Sequence, residues 1–423
     1  MDKSVLILAY EFPPHNSIAA HRPLSWKQFL GRFGWHAVVV TRHWDEGISD
    51  PVAFVQPSTE QNVCIDEEEN STVIRVPFRP NLRDRLMIRY GLNRMQVPRK
   101  ALTLMHSIFD YQSLAVDNYS GIYRAAEKYL RDHPEVKVII ASGEPFILFR
   151  HAWLLSKKFN LPWVADYRDG WSTNHMDTVK DLPRRLLYPR LEKKWTSQAA
   201  LRTTASPTYA ERLRDIISEP DIQVLLNGYN PATVPDPIPA MHDEFSIGYA
   251  GTIYHYQPLE EAVEAVADFQ QKMGFPVRMY FFGANFYADQ CARIEQACEK
   301  YGVSFQTTDR LSHQEVMIEL VKCQVLLLLT NPKITTLPAK VFDYLALKRP
   351  ILNLRNDQSI ILDILTKAQA SRPVNTVQEA SDFLILVSKG EIDTNYQAEQ
   401  FSREARTEEL AGLFDQITGI RRT

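Results

Sequence analysis

The stretch TTLPAKVFDYLALKRPIL, residues 335–352, combines residue types that could bind a nucleoside diphosphate. The run QVLLLL at 324–329 precedes it and is typical of a strand buried on both faces. Pro338 predicts that a helix begins near that residue, so Lys340 lies in the first turn, where free N–H groups and the helix dipole favour an anion. Asp343 follows on nearly the same face and could accept a hydroxyl hydrogen bond. The alternative is an ordinary helix start with a surface lysine and aspartate.

A second candidate is the loop YEFPPHNSIAAHRP at 10–23, directly after the first predicted strand. Its small residues would let a ligand approach the backbone, and Arg22 could contact a phosphate or line a binding cleft. The loop contains no glycine, so it does not match the dinucleotide-binding pattern GxGxxG. A loop shaped only for packing is equally compatible with these residues.

A third candidate is PWVADYRDGW at 162–171, where a buried strand ends in charged residues. Such charges are costly unless they pair with each other or serve a ligand. An internal salt bridge between Arg168 and an aspartate is the alternative to a functional role. The candidate residues at this strand end and at the neighbouring segment ASGEPF (141–146) are Asp166, Arg168, Asp169, Trp171, Ser142, Gly143 and Glu144.

The segment IGYAGTIYHYQP at 247–258 predicts a strand, a glycine turn and then a helix over 259–273. Gly248 and Gly251 flank the strand end, and the turn at Gly251 and Thr252 could present backbone amides to an anion. The same kind of turn also occurs as plain architecture.

Composition restricts the class of protein. The 423 residues have a formal net charge of −3, which gives no support to nucleic-acid binding. The four cysteines form no CxxC pair, so free thiols in a reducing cytoplasm are expected instead of a zinc site. The apolar run near the start is too short for a signal or a membrane span, which predicts a cytoplasmic protein.

Short apolar runs alternate with helical patterns along the whole chain, which predicts an α/β fold of parallel sheets covered on both faces. Ser312 and Glu315 predict a capping box at one helix start. The proline-rich stretch before residue 245 reads as a linker. The predicted boundaries are an N-terminal domain at 1–228, a linker at 229–244, a C-terminal domain at 245–400 and a last helix at 401–423 that could pack back on the N-terminal domain.

The order of these segments resembles the family 4 glycosyltransferases, which have the GT-B fold. The chain is especially similar to the bacterial subset whose middle motif reads D-F-R-D-P-W. The resemblance implies an α/β GT-B fold of two doubly wound, Rossmann-like domains facing each other across a cleft. The segments that carry it are YEFPP, ADYRDGW, RLEKKW, LNGYNP, YAGTIY, LPAKVFDYLALKRPIL and FSREARTEELAGLF.

The resemblance also implies an activity: retaining transfer of a hexosyl or N-acetylhexosaminyl group from a nucleotide-sugar donor, without a cofactor or a metal ion. Lys340 and the amides around Ala339 would bind the diphosphate, and Asp343 the ribose. The second domain would hold the donor, and the first an acceptor such as a glycan or polyprenyl-linked glycan of a bacterial surface polysaccharide. Expected donor contacts are Lys340, Asp343, Ala339, Gly251, Thr252 and Arg310; expected catalytic residues are Arg168, Asp166 and Asp169; expected acceptor or cleft residues are Arg22, Glu144 and Trp171.

The chain departs from the family pattern at several positions. Asp343 stands where a glutamate is usual, and NSIAA replaces a glycine-rich loop. Residues 255–257 are His, Tyr and Gln where basic residues are common, so Arg310 or Arg168 would supply the missing charge. Arg168 also occupies the place of a histidine found in the wider family, so no histidine role carries over.

Two other functions fit the same architecture: a nucleotide-sugar epimerase, and a non-catalytic GT-B-like binding protein. A separate feature is the segment 79–100, with seven basic residues and one acid. Its arginines and interspersed apolar residues predict contact with an anionic membrane at the inner face of the plasma membrane, with a second basic cluster at 183–195. The alternative is a solvated basic face.

Overall fold

The computed structural model describes residues 3–15, 17–46, 51–114, 117–173, 182–217, 222–330, 337–355, 360–370 and 372–420. The chain divides into two compact units. Unit 1 comprises Met1–Leu226 together with Arg406–Thr423, and unit 2 comprises Asn227–Ala405. Unit 2 therefore begins two residues before the stretch predicted as a linker, and the end of the chain returns to unit 1.

The strands run in chain order as β1 (Ser4–Leu8), β2 (His36–Arg42), β3 (Cys64–Glu68), β4 (Ser71–Val76), β5 (Val136–Gly143), β6 (Trp163–Tyr167), β7 (Leu201–Thr204), β8 (Ile222–Val224), β9 (Phe245–Ala250), β10 (Val277–Phe282), β11 (Ser304–Thr307), β12 (Val325–Leu329), β13 (Ile351–Leu354) and β14 (Pro373–Val374).

The α-helices are α1 (His21–Phe29), α2 (Pro51–Phe54), α3 (Leu82–Tyr90), α4 (Gln96–Phe109), α5 (Ser120–Asp132), α6 (Ile147–Phe159), α7 (Leu182–Thr196), α8 (Pro207–Ile216), α9 (Leu259–Met273), α10 (Ala288–Tyr301), α11 (His313–Val321), α12 (Lys340–Leu347), α13 (Ile360–Lys367), α14 (Val377–Ser388) and α15 (Arg403–Thr418).

Unit 1 contains one eight-stranded sheet, ordered β3-β4-β2-β1-β5-β6-β7-β8. All neighbouring strands are parallel except β3, which pairs antiparallel with β4 at the sheet edge. The strand order reverses between β1 and β5. In open α/β sheets, ligands bind beyond the carboxyl ends of the strands at such a reversal.

Both faces of this sheet are covered, which explains the four consecutive apolar residues of β1, from Val5 to Leu8. In β1, Val5 and Ile7 join one apolar cluster while Leu6 and Leu8 join another, and all four side chains have no exposed surface. A parallel strand between two helical layers needs this continuous apolar pattern. The first strand that the sequence predicts, directly before the loop at 10–23, is therefore confirmed.

Helix α15 covers part of one face of the unit 1 sheet. Leu410, Ala411 and Phe414 belong to the same cluster as Val5 and Ile7. The ring of Phe414 makes an edge contact with that of Trp35, with 5.4 Å between centroids. Beside it, the carboxylate of Asp415 accepts hydrogen bonds from Nζ of Lys3 at 2.6 Å and from Nε1 of Trp35 at 3.1 Å.

Unit 2 contains one six-stranded parallel sheet, ordered β11-β10-β9-β12-β13-β14. Counted from β9 as the first strand, this is the doubly wound order 3-2-1-4-5-6, which reverses between β9 and β12. Gly248 in β9 permits close packing of the helical layer, because an added Cβ would lie 2.9 Å from Sγ of Cys323. Close packing therefore explains why position 248 is a glycine.

The local predictions for unit 2 are confirmed in detail. Helix α9 spans the predicted 259–273, and the capping box of Ser312 and Glu315 is present at the start of α11. Helix α12 begins at Lys340, two residues after the predicted start. In the described part of the chain, no helix is both long and apolar enough to cross a membrane.

Candidate functional site

The strand reversal of unit 2 brings together the two segments that the sequence singled out there. The turn after β9 contains Gly251, whose φ of +88° favours glycine. Helix α12 follows β12 and starts with Lys340, so its dipole favours an anion at this edge. An added Cβ on Gly251 would lie 3.8 Å from Nζ of Lys340, which shows that the two residues are neighbours. The two segments therefore meet at one point.

The ammonium group of Lys340 is partly buried and lies over the ring of Tyr249, 3.9 Å from its centroid. Among the residues that the structure describes, no carboxylate pairs with Nζ and no acceptor is hydrogen-bonded to it. Burial lowers the pKa of Lys340 to about 7. A cation held in this way lacks a counter-charge, and a bound anion would provide one.

Tyr249 does not supply that counter-charge. Burial raises the pKa of its phenol well above the usual value, so the hydroxyl stays protonated at neutral pH. The hydroxyl donates to the carbonyl of Thr252 at 2.8 Å, which fixes the turn after β9. Tyr344 on α12 supports the same turn, since the N–H of Ala250 donates to its hydroxyl at 3.1 Å.

Other cations near the start of α9 are already paired, in contrast to Lys340. Arg293 makes two contacts of 2.7 Å with the carboxylate of Glu260 and also donates to the carbonyls of Tyr254 and Gln257. Arg355 makes two contacts of 2.8 Å with Glu261. Both arginines are neutralised by these pairs, and Arg293 also holds the loop that follows β9.

Asp343 lies one turn into α12 and contacts a residue that sequence reasoning missed. Nε2 of His313, the first residue of α11, lies 3.0 Å from Oδ2 of Asp343. This hydrogen bond raises the pKa of His313 against the opposing effect of burial. The histidine follows the capping residue Ser312 directly, but nothing in the sequence connects it with Asp343, thirty residues later.

The remaining donor-side predictions have the following places. Ala339 precedes α12 as its capping residue, Thr252 follows Gly251 in the turn, and Arg310 is exposed on the loop after β11. Residues 331–336, which include the first two residues of the 335–352 motif, lie outside the described residues. The donor-binding roles of all these residues stay predictions.

In unit 1, Arg22 and Asp166 form a buried ion pair, although they come from two separate candidate segments of the sequence. Asp166 has no exposed surface, and its carboxylate accepts from Nε of Arg22 at 3.0 and 3.1 Å and from Nη2 at 2.7 Å. Ser142 and Thr203 donate to the same carboxylate at 3.1 and 2.6 Å. Nη1 of Arg22 donates to the carbonyl of Leu225 at 2.9 Å. This geometry favours a structural role that ties together the ends of the central strands.

Arg168 and Asp169 lie beyond the end of β6, where Nε of Arg168 is 3.2 Å from Oδ2 of Asp169. The arginine side chain is 15% exposed and the aspartate side chain 45% exposed, so this pair is accessible to a ligand while the Arg22–Asp166 pair is not. Their catalytic role stays a prediction.

The loop that carries Arg168 is held by a buried carboxylate. Glu192 on α7 has no exposed surface and accepts hydrogen bonds from the N–H of Ser172, at 3.1 Å, and from its hydroxyl. Burial raises the pKa of Glu192 to about 7, against the effect of these hydrogen bonds. The sequence offered Glu192 only as part of the RLEKKW motif and gave no sign of this contact.

A cavity of about 840 Å³ lies in unit 1 at the carboxyl ends of β1 and β5. Glu144 and Trp171, both predicted acceptor-side residues, line it, whereas Arg22 does not. Trp171 stacks on Phe146 with 5.2 Å between ring centroids. Aromatic faces beside carboxylates and amides suit a polar ligand with apolar faces, such as a sugar. In the described residues, no cluster of three or more His, Cys, Asp or Glu side chains is arranged to hold a metal ion.

Comparison with known proteins identifies the fold. No family model and no curated protein sequence matches this chain. Sucrose-phosphate synthase from Thermosynechococcus elongatus matches with a TM-score of 0.60 and 13% identity, over 99% of this chain and 100% of that one. The Anabaena protein HepE, solved with UDP and glucose, matches with a TM-score of 0.58 and 11% identity, over 98% and 100%. A UDP-forming trehalose-phosphate synthase from Burkholderia vietnamiensis matches with a TM-score of 0.56 and 11% identity, over 99% and 96%.

These matches extend over whole chains and agree with the two doubly wound sheets described above. The chain therefore has the GT-B fold, as the sequence predicted. Identities near 12% show the fold and leave the activity to be argued from the site.

Proposed function

We propose that this protein is a glycosyltransferase that uses a nucleotide-sugar donor. The observation that carries the proposal is the partly buried ammonium of Lys340, which lacks an anionic partner among the described residues and lies beside Gly251 at the strand reversal of unit 2. A diphosphate would supply the missing negative charge. HepE, which shares the fold, was solved with UDP-glucose, and we transfer that ligand class to this chain as part of the proposal.

In the proposed reaction, the sugar is transferred with retention of configuration, as in the family 4 enzymes that the chain resembles. Negative charge grows on the leaving diphosphate as the glycosidic bond breaks, and Lys340 stabilises it electrostatically together with the N-terminus of α12. Binding of the anion raises the pKa of Lys340, so the side chain is an ammonium in the complex. Because this cation performs the neutralisation, we propose that transfer requires no metal ion.

We propose that the cavity of unit 1 receives the acceptor. It combines aromatic faces with the carboxylates of Asp84, Asp110 and Glu144. Carboxylates accept hydrogen bonds from sugar hydroxyls, and ring faces pack against the apolar faces of sugars. An acceptor glycan or lipid-linked glycan of a bacterial surface polysaccharide, at the cytoplasmic face of the membrane, fits this lining. From the resemblance to the family 4 enzymes, we propose that the transferred sugar is a hexosyl or N-acetylhexosaminyl group.

The experiment begins with a thermal-shift screen of nucleoside diphosphates and nucleotide sugars. A ligand present at about 100 times its dissociation constant should add roughly 2.7 kcal/mol to the free energy of unfolding. The donor found in this way is then incubated with and without candidate acceptor glycans, and the release of nucleoside diphosphate is measured. Acceptor-dependent release supports a transferase, and the same release after chelation of divalent metals supports the metal-free reaction.

The same assay separates the two other functions that the architecture allows. Conversion of the donor to an epimer in the absence of any acceptor would identify an epimerase. Nucleotide binding without turnover for every donor and acceptor tested would identify a binding protein. Absence of any nucleotide or nucleotide-sugar binding would contradict the proposal as a whole.

A further inference from the structure

Four large apolar side chains of helix α4 are exposed to solvent, while polar side chains on its other side face the protein. Val97 is 78% exposed, Leu104 41%, Met105 43% and Phe109 53%. Their spacing of seven, eight and twelve residues from Val97 places them on one side of the helix. The opposite side carries Thr103, His106 and Asp110, which line the cavity of unit 1. A surface helix ordinarily buries its apolar stripe, whereas α4 leaves these four apolar side chains exposed.

The exposed apolar residues of the protein are concentrated on this helix and its neighbour. We define the α3–α4 surface as the exposed side chains of residues 82–109. It holds eight of the fifteen exposed large apolar side chains on the described residues. Single exposed apolar side chains are normal, whereas a cluster marks an interaction site. The eight are Leu82, Tyr90, Leu92, Met95, Val97, Leu104, Met105 and Phe109.

Specific contacts hold the two helices in this orientation. Asn81 caps α3 by accepting from the N–H of Asp84 at 2.9 Å, and Met87 is only 3% exposed. Arg99 on α4 donates to the carbonyl of Leu92 at 2.6 Å, and its Nη2 lies 3.2 Å from Sδ of Met87. The inner side of the two helices is therefore already filled by the buried Met87 and by the contacts of Arg99. The exposed apolar residues remain on the outer side.

The charge of the α3–α4 surface has one sign. Asp84 is the single acid between residues 79 and 109; it is 3% exposed and accepts from Arg83 at 2.9 Å and Asn118 at 3.1 Å. Exposed basic side chains surround the apolar cluster, in a chain whose formal net charge is −3. Those on the α3–α4 surface are Arg85, Arg89, Arg94 and Lys100, and the exposed Arg79 lies just before it in the chain.

We propose that the α3–α4 surface docks on an anionic lipid bilayer. The apolar side chains of α4 enter the interfacial region, and the arginines around them contact lipid headgroups. A second copy of the chain is a poorer occupant, because a two-fold interface would place the same cations against each other. This inference goes beyond the proposed activity, since docking requires neither donor nor acceptor.

The structure also changes which residues of the segment 79–100 make the contact. Leu86 and Ile88 are two of the interspersed apolar residues from which the sequence predicts membrane contact, and both are only partly exposed. The exposed Leu104, Met105 and Phe109 lie beyond that segment. Arg83 is engaged with Asp84 and is therefore left unchanged in the test.

The test is co-sedimentation of the full chain with phosphatidylcholine vesicles that contain or lack phosphatidylglycerol, at low and high salt. We expect binding to the anionic vesicles that weakens with salt. The apolar triple variant Val97→Asp, Leu104→Asp, Phe109→Asp and the charge variant Arg85→Glu, Arg89→Glu, Arg94→Glu should each reduce the partition coefficient at least about tenfold. Hydrogen exchange with vesicles present should show new protection in 96–109.

The control variants change exposed residues of the same types elsewhere in the chain. They are Ile238→Asp with Met241→Asp for the apolar variant, and Arg124→Glu, Lys367→Glu and Lys389→Glu for the charge variant. We expect these to bind as the unchanged chain does. The proposal is overturned by absence of binding at low salt, by equal binding to neutral vesicles, or by equal losses in the controls. A vesicle-independent dimer that only the apolar variant dissociates in sedimentation velocity would assign the surface to a second copy instead.

Discussion

Nζ of Lys340 lies 3.9 Å from the centroid of the Tyr249 ring, and no carboxylate on the described residues neutralises it. The ring is a neutral phenol, because burial raises the pKa of Tyr249. The attraction of a cation to an aromatic face offsets only part of the hydration free energy that the cation loses on burial. Lys340 therefore weakens the ligand-free fold, and a bound diphosphate would remove that cost.

The first prediction follows because the charge of Lys340 destabilises the ligand-free fold and would strengthen the binding of a diphosphate. Lys340→Met should lower the affinity for a nucleoside diphosphate by about 1.5–3 kcal/mol, roughly tenfold to over a hundredfold. It should also raise the free energy of unfolding of the ligand-free protein, since a partly buried charge is replaced by an apolar side chain of similar length. Calorimetric titration and urea denaturation measure the two effects, with exposed Lys367→Met as the control. Unchanged nucleotide affinity in the folded variant would remove Lys340 from the site.

The second prediction concerns pH. The folded pKa of Lys340, about 7, lies below its unfolded value, so the unfolded chain binds more protons between these values. The contribution of this group to stability therefore rises with pH from about 7 to about 10.4. Binding of a diphosphate requires the ammonium, so affinity should fall as pH rises above about 7.

That pH dependence has a direct measurement. Titrations near pH 8, in buffers with different ionisation enthalpies, should show proton uptake on binding of a nucleoside diphosphate. The terminal phosphate has a pKa of about 6 and is then already ionised. Lys340→Met should abolish the uptake. Equal uptake in the variant would assign the proton to another group.

The sequence predicted most of the fold because local patterns determine most of it. A short stretch of sequence is enough to recognise each of three local patterns: the leucines of β12, the apolar stripe of α9 and the proline before α12. Strand β3 was missed because its sequence, CIDEE, is polar and exposed at a sheet edge, so it has no apolar pattern. The site was less predictable: Arg22 and Asp166 are 144 positions apart, and only the assembled sheet shows that they pair.

The third prediction separates the two arginine–aspartate pairs of unit 1. Arg22→Met leaves the carboxylate of Asp166 buried without its cation and should cost about 3–5 kcal/mol of unfolding free energy. Arg168→Ala breaks a more exposed pair and should cost at most about 1 kcal/mol. If Arg168 contacts the donor or acceptor, its variant should lose turnover while its melting temperature changes little.

The contrast is checked by measuring melting temperature and turnover for both variants. The double variant Arg22→Met, Asp166→Asn removes both charges and should recover part of the stability lost by Arg22→Met alone. If Arg168→Ala lowers the melting temperature as much as Arg22→Met and leaves turnover intact, then Arg168 is structural.

The fourth prediction concerns Glu192, whose buried carboxyl holds the N–H and hydroxyl of Ser172. Its folded pKa of about 7 lies above its ordinary value. Its contribution to stability is therefore complete below about 4.3 and is lost as pH rises through about 7. Glu192→Gln should flatten the stability curve across that window and raise stability at neutral pH. Urea denaturation at several pH values measures this, with exposed Glu391→Gln as the control; an unchanged slope in Glu192→Gln would show that another group titrates.

The last prediction concerns His313 and Asp343. The hydrogen bond that the His313 ring donates to the carboxylate of Asp343 raises the folded pKa of His313. The stabilising contribution of His313 is therefore complete below about 6.5 and is lost as pH rises through the raised value. Asp343→Asn should lower the pKa of His313, because burial then acts without the opposing carboxylate, and should destabilise the fold more at acidic than at alkaline pH.

The effect of Asp343→Asn on nucleotide affinity should be smaller than that of Lys340→Met, since Asp343 would contact only neutral hydroxyls. NMR titration of the His313 ring follows the first effect, and a second titration with the nucleotide present shows whether ribose hydroxyls compete for the same carboxylate. A His313 pKa that is identical in the variant would exclude the pair as the cause of the shift.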